Sequence, residues 1–366
     1  MVGQLQASLL SKQAVESFLA ALSALCKADG EGRREFLSLG GEGPVVLALT
    51  RHRGEGPVVQ HCLALLNAVS HGEPAAISLF TESDGLMEAV VMAIDSLSTN
   101  GDVMVQGLAI FTTLCGDQRS GSSLSRRARE SFLRSPMYSV LSALFGKRCD
   151  LGDGEIPLYC CALVTALSRH GRGIQALLTR TKAEQYIHSV LSADGLSEEV
   201  SRYAWRAAAS LCASPCTGLH TAVYLLDHGI MSPLLRLMEA VEQNSFDHAD
   251  DRLSCCGQMV GHLAASPHPE HAEALTQTQV LKFLVSGMRA CPRHSAIAAQ
   301  SIILGILSLL QLEEGPRLEV AADYFTSADS DLSASLAAVM DAYWNEPSVL
   351  VPGVWLTTLL NTAVVS

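Results

Sequence analysis

The chain is 366 residues long, with 48% apolar, 5% aromatic and 17% charged residues and a formal charge of -12. One hydrophobic core stops growing at about 250–300 residues, so this length requires several domains or a repeat array in which each unit touches only its neighbours. The acidic balance, with a pI near 5.4, argues against a nucleic-acid binder, which presents a basic face to phosphate.

Ala and Leu dominate the apolar set, and small or unbranched side chains suit closely packed helices. The alternating β-branched and aromatic pattern of strands is nearly absent. The predicted elements are therefore helices. Met1–Leu10 has no basic stretch followed by an apolar one, so no secretory leader is expected. The first long helix ends in Phe18–Cys26, and the pattern Cys62-Leu-Ala-Leu-Leu-Asn-Ala-Val-Ser70 is similar to it. Further copies follow at Gly107–Cys115, Cys160–Ser168, Ala204–Cys212, Cys256–Ala264 and Gln300–Ser308. The eighth position is aliphatic in each (Leu25, Val69, Leu114, Leu167, Leu211, Leu263, Leu307), at spacings of 44, 45, 53, 44, 52 and 44 residues. The ninth is always small: Cys26, Ser70, Cys115, Ser168, Cys212, Ala264 and Ser308. Spacings of about 40–47 residues are those of helical repeat arrays. The two longer ones contain polar stretches, Asp117–Arg127 and Gln243–Asp251, expected as surface loops.

A turn followed by an apolar run lies after each of the first six landmarks. It reads Gly43-Pro-Val-Val-Leu, Gly85-Leu-Met-Glu-Ala-Val, Ser135-Pro-Met-Tyr-Ser-Val-Leu, Glu184-Gln-Tyr-Ile-His-Ser-Val-Leu, Gly229-Ile-Met-Ser-Pro-Leu-Leu and Gln279-Val-Leu-Lys-Phe-Leu. Pro44 and Pro57 fall just inside expected helix starts and Pro157 just before one, where a missing N–H costs least. Each unit thus reads as a short helix, a Gly or polar break, a second helix and a long third helix. The units end near 26, 70, 115, 168, 212, 264 and 308, an array over 1–325; residues 326–366 are expected to form a capping helix and an apolar tail.

The eleven cysteines are read as buried thiols of a reducing compartment, and a cytoplasmic location is expected. Neighbours on a helix point about 100° apart, so Cys160–Cys161 and Cys255–Cys256 do not suit local disulfides.

The unit pattern resembles armadillo repeats, most closely in Gly85-Leu-Met-Glu-Ala-Val and in Val59-Gln-His-Cys-Leu-Ala-Leu-Leu-Asn-Ala-Val-Ser. The resemblance spans about Gln4 to Phe325 and implies an all-α, right-handed α-solenoid of about seven three-helix repeats. It also implies a groove lined by third helices, with an Asn ladder that grips the backbone of an extended peptide. The matching positions are Ser23, Asn67, Thr112, Thr165, Ala209, Gly261 and Gly305. Peptide clamping of the nuclear-import type adds a Trp four residues earlier. Here that position reads Leu19, Leu63, Leu108, Cys161, Trp205, Gly257 and Ser301. One Trp with no Asn after it departs from that pattern, so transport of nuclear signals is not expected.

Arg202, Trp205 and Arg206 fall at helical spacings that share a face, and Arg169 ends the preceding long helix. Trp and Arg are the residue types most enriched at binding hot spots. The alternative is that Trp205 packs between repeats while the arginines pair with acids such as Glu198 and Glu199. Asn67, Thr112, Thr165, Arg169, Arg202, Trp205 and Arg206 are thus the candidate partner-binding residues, for a protein or peptide partner.

No phosphate-loop motif is present; Gly41-Glu-Gly43 and Gly54-Glu-Gly56 read as turns. His268-Pro-Glu-His271 and Asp247-His-Ala-Asp-Asp251 lack the second ligand pair of a zinc site and are expected as loop residues in water. Cys212-x3-Cys216 has one-turn spacing, but Pro215 ends the helix between them. Arg119–Arg129 is basic and serine-rich, suited to phosphorylation, to docking an acidic partner or simply to a solvated loop. No nucleophile–base pair emerges, so neither an enzyme, a cofactor nor a bound metal is expected. Ala296–Leu310 is shorter than the ~20 residues that span a bilayer and lies on the repeat register. Ser348–Ser366 carries no charge, and Pro352-Gly353 is expected to break it. A scaffold that holds a partner segment is the leading expectation; a membrane-associated adaptor anchored through that tail is the alternative.

Overall fold

The computed structural model describes residues 2–7, 11–71, 73–83, 85–116, 137–146, 154–169, 172–193, 195–242, 249–311, 316–327 and 331–365. Among them are 22 α-helices, one short 3-10 segment at Cys291–Arg293 and no strand. The fold is all-α, a solenoid of three-helix repeats.

The first compact unit, Met1–Tyr186, opens with α1 (Val2–Ala7) and α2 (Lys12–Ala28). It continues through α3 (Gly30–Ser38), α4 (Glu42–Arg51), α5 (Gly56–Ser70), α6 (Pro74–Glu82), α7 (Leu86–Ser96) and α8 (Gly101–Gly116). Then come α9 (Met137–Gly146), α10 (Glu155–Ser168), α11 (Arg172–Arg180) and the start of α12 (Ala183–Ser192). The third helices α2, α5, α8 and α10 stack in order, and the second helices α4, α7 and α9 form a parallel ladder. The Arg119–Arg129 stretch lies outside the described residues.

The second unit, Ile187–Ser366, takes up the rest of α12, then α13 (Glu198–Cys212), α14 (Gly218–Asp227), α15 (Met231–Glu242) and α16 (Ala249–Leu263). It ends with α17 (Pro269–Leu275), α18 (Thr278–Ala290), α19 (Ala296–Leu310), α20 (Pro316–Thr326), α21 (Leu332–Ala342) and α22 (Pro347–Val365). Third helices α13, α16, α19 and α22 stack in order, as do second helices α15, α18 and α21.

Local chemistry fixes the helix starts. Ser197 and Ser295 cap α13 and α19 by accepting from the backbone N–H groups of Val200 and Ala298, both at 3.3 Å. Asp29 caps α3 through Gly32 N at 2.6 Å. Pro157 stands in the first turn of α10 rather than ahead of it, a site where its missing N–H breaks no helical bond. In five described repeats the break between first and second helices contains one left-handed residue. Gly40, Gly85 and Gly229 supply it at φ of 64°, 83° and 85°, while Lys182 and Asp331 adopt it at 61° and 49°. A side chain there costs about 1–2 kcal/mol, which is why Gly leads the break so often.

The aliphatic landmark side chains Val69, Leu114, Leu167, Leu211, Leu263 and Leu307 are buried, but Leu25 is 50% exposed. In α2 the buried stripe is Val15, Leu19, Leu22, Ser23 and Cys26, which leaves Leu25 beside it.

Residues 316–365, divided at Phe325 by the sequence pattern, form α20, α21 and α22. The last packs on α19 as each third helix packs on the one before. The Pro352-Gly353 pair does not break this helix; Pro352 lies inside it. An interior Pro costs about 3 kcal/mol, and burial of Val349, Leu356 and Leu360 opposes that cost. Gly353 lets the helix approach α21, since a Cβ there would stand 3.1 Å from Met340 Cγ. No described helix is long and apolar enough to cross a membrane.

Candidate functional site

In the first unit, Asn67 is half-buried on α5, and its amide reaches α8. Nδ2 donates to the Gln106 carbonyl at 2.9 Å and to Gln106 Oε1 at 3.0 Å. Among the described residues this leaves Asn67 Oδ1 as an acceptor and Gln106 Nε2 as a donor, side by side. Gln60 Nε2 donates across the same helix pair to Asp102 Oδ2 at 3.4 Å. Thr112 and Thr165 are half-buried at the matching positions, but their hydroxyls donate to carbonyls of their own helices, Leu108 at 2.8 Å and Cys161 at 2.9 Å. Arg169 is exposed and forms the C-cap of α10. Gln106 was missed in the sequence, because it precedes the landmark of its own helix.

In the second unit, Arg202, Trp205 and Arg206 do not form one exposed face. Trp205 is only 3% exposed and belongs to the apolar side of α13 with Val200, Ala204, Ala208 and Leu211. Tyr203 takes the outward place between the arginines, whose guanidinium carbons lie 5.3 and 5.8 Å from its ring centroid. Arg206 Nη2 pairs with Asp251 on α16 at 2.6 Å, and Arg202 Nη2 lies 3.6 Å from Glu199. Arg252 of α16, with a side chain 6% exposed, returns to Glu198 at 2.8 Å. Packing of the Trp and pairing of the arginines is thus the arrangement found, and Arg252 is the partner that sequence spacing did not reveal.

Behind Trp205 a recess of about 280 Å³ opens among the end of α12, the start of α13, and α15. Its walls include Leu191, Leu196, Pro233 and Leu237, and among the described residues its charged lining groups include Glu198, Arg236 and Arg252.

Two of the ladder and Trp positions read Gly for a steric reason: Gly257, at the Trp position of the sixth repeat, and Gly305, on the ladder of the seventh. A Cβ on Gly257 would stand 2.5 Å from the carbonyl carbon and oxygen of Ser301, and one on Gly305 would stand 3.0 Å from the Gly257 oxygen. Backbones of α16 and α19 touch here, leaving no room for an Asn or a Trp.

His271 is buried rather than a loop residue in water. Its ring bridges Ser266 Oγ at 2.7 Å and Asp227 Oδ1 at 2.9 Å. Asp250 and Asp251 likewise lie in the first turn of α16, where Asp250 Oδ2 accepts from Ser295 N at 2.9 Å and Oδ1 meets His294. Both sequences that suggested a metal therefore tie one repeat to the next. None of the ten described cysteines is in a disulfide, and all but Cys216 are buried. Burial pushes the thiols of Cys115, Cys212, Cys255 and Cys291 up to about 12, and Cys62 and Cys256 also well above the usual range. Burial also lowers His262, and it is the main cause that lowers His188.

No family model and no curated protein matches the chain. Solved structures do. One, from "A conserved phosphorylation switch controls the interaction between cadherin and beta-catenin in vitro and in vivo", aligns with a TM-score of 0.61 at 14% identity, over 98% of this chain and 78% of that one. A designed armadillo repeat protein aligns with a TM-score of 0.55 at 17% identity, over 72% of this chain and 100% of that one. An engineered protein aligns with a TM-score of 0.55 at 12% identity, over 98% of both. The fold is armadillo-like.

Proposed function

We propose that this armadillo-like array is a non-enzymatic scaffold of the cytoplasm that holds an extended peptide or protein segment along its third helices, in repeats two to five. One observation carries the reading. The Asn67–Gln106 bridge spans two adjacent third helices and leaves one acceptor and one donor unused, the pair of groups that an extended backbone offers in return. Thr112, Thr165 and Arg169 would flank the segment further along the first unit, and Arg202, Tyr203 and Arg206 would receive its acidic groups in the second. Trp205 would act there as packing beneath the arginines. The many buried thiols favour a reducing compartment.

The test is affinity capture from native lysate with mass spectrometry, comparing wild type with an Asn67→Ala, Gln106→Ala variant shown to unfold at the same urea concentration. Loss of a defined subset of partners supports the reading. An unchanged partner set removes this site from it.

A further inference from the structure

The helix α22 is apolar on two opposite sides. Val349, Gly353, Leu356 and Leu360 form its buried stripe, turned toward α19 and α21. Ser348, Val351, Trp355 and Thr358 recur at helical spacing on the far side and are exposed. Val351 is 69%, Val354 55% and Trp355 53% exposed, and Trp344, just ahead of the helix, is 73% exposed. A helix that is apolar all round is one that packing covers on every side, and α22 is not long and apolar enough to cross a membrane. We infer that the outer face of α22 pairs with the same face of a second copy of this chain, as the contact of a two-fold dimer.

Continuity of the helix stack points to the occupant. The third helices α16 and α19 each lie between two others, whereas among the described residues α22 has one third-helix neighbour, α19, on its inner side. A second α22 laid on the outer side repeats that contact. Charge then favours a copy of the same chain. A two-fold interface sets one patch against itself, and on a chain of formal charge -12 an acidic patch repels its own copy. No charged side chain occurs from Pro347 to Ser366, so this face meets its mate without repulsion and offers no charge by which a different partner would be selected. Glu346 precedes the helix, and antiparallel pairing keeps the two Glu346 side chains at opposite ends. Size agrees with this. A standard interface buries about 800 Å² per partner, and covered tryptophans contribute about 150–250 Å² each. Trp344 and Trp355 with the two valines supply the aromatic, charge-free centre that such interfaces have.

Sedimentation equilibrium of the full chain across the micromolar range tests this, with tryptophan fluorescence read on the same samples. Two of the three tryptophans, Trp344 and Trp355, stand at this face, while Trp205 is already buried. Wild type should form a discrete dimer, and its emission should move to the blue as it associates. Val351→Lys and Trp355→Lys, both at exposed positions, should each self-associate at least about tenfold more weakly. Should either lysine variant lose helical circular dichroism, Trp355→Ala takes its place with the same expectation. Wild type that stays monomeric, a dimer that survives these variants or forms without the blue shift, or open-ended polymers would each overturn the proposal. So would co-flotation of wild type, but not of Val351→Lys, with phosphatidylcholine vesicles, which would assign the face to a lipid surface. None of these variants touches Asn67 or Gln106, so the outcome is independent of the third-helix groove.

Discussion

Arg206 and Asp251 are 45 residues apart in the chain and 2.6 Å apart in space. The same interval recurs in other polar contacts. His271 meets Asp227 across 44 residues, Ser286 meets Glu242 across 44, and Gln60 meets Asp102 across 42. Side chains with the look of a ligand site thus join each repeat to its neighbour, and they differ sharply in what their removal costs.

Arg206 and Asp251 have side chains 38% and 36% exposed, so water screens the pair and Asp251→Ala should cost no more than about 1 kcal/mol. Glu198 faces an Arg252 side chain that is only 6% exposed. Its removal takes a charged hydrogen-bond partner from a buried guanidinium, and Glu198→Ala should cost more than Asp251→Ala, about 2–3 kcal/mol. Urea unfolding of the two variants checks the order; a larger loss for Asp251→Ala would refute it.

Two glycines of α16 should respond to alanine with opposite signs. At Gly257 the new Cβ would lie 2.5 Å from backbone atoms of Ser301, whereas at Gly261 the nearest atom is Ser308 Oγ at 3.4 Å. Gly257→Ala should destabilise by about 1–3 kcal/mol through forced separation of the helices. Gly261→Ala should stabilise by up to about 1 kcal/mol through better helix propensity. Thermal melting of both variants settles the comparison.

Thiol chemistry should divide the cysteines. The thiolate is the nucleophile, and burial holds Cys115, Cys212, Cys255 and Cys291 near 12, so native protein at neutral pH should leave them unmodified. Cys216, which is exposed, should react with iodoacetamide first among the described cysteines. Peptide mapping by mass spectrometry before and after urea reads this directly. Early modification of Cys115 would contradict the packing.

Stability should fall on mild acidification. His262 and His188 bind protons less readily in the folded state, so the unfolded chain takes up protons first as pH drops below the ordinary histidine value of about 6.5. Unfolding is then favoured progressively, with stability complete above that value and lost as pH falls through the lower folded-state values. Urea midpoints measured at about pH 7.5 and about pH 5.5 should differ less in His262→Gln than in wild type. An identical difference would exclude His262 as a source.

The repeat was legible in the sequence because each third helix must bury two sides, which forces aliphatic and small residues into fixed places such as Leu211 and Cys212. The left-handed break was legible where Gly occupies it, as at Gly85 and Gly229, but not at Lys182, where the fold overrides the side chain's preference. The spacing of Trp205 to Arg202 and Arg206 left two readings open, a binding face or a packed Trp with paired arginines. The stripe Val200, Ala204, Ala208 and Leu211 adjoins it and was the better guide to its direction. His271 read as solvent-exposed because its partner, Asp227, lies a full repeat earlier. Complementary polar residues about 44 residues apart were the signal that could have found such pairs.

The contact between Gly257 and Ser301 has a mechanical consequence. Where backbones touch, no rotamer can give way, so α16 and α19 form a stiff joint that resists both twisting and sliding. The neighbouring joint between α13 and α16 is held by side-chain pairs, Arg206 with Asp251 and Arg252 with Glu198, rather than by touching backbones. Arg206 and Asp251, 38% and 36% exposed, can change rotamer in a way that the backbone contact cannot, so a bending load on the second unit should be taken up at the arginine joint before it parts α16 from α19.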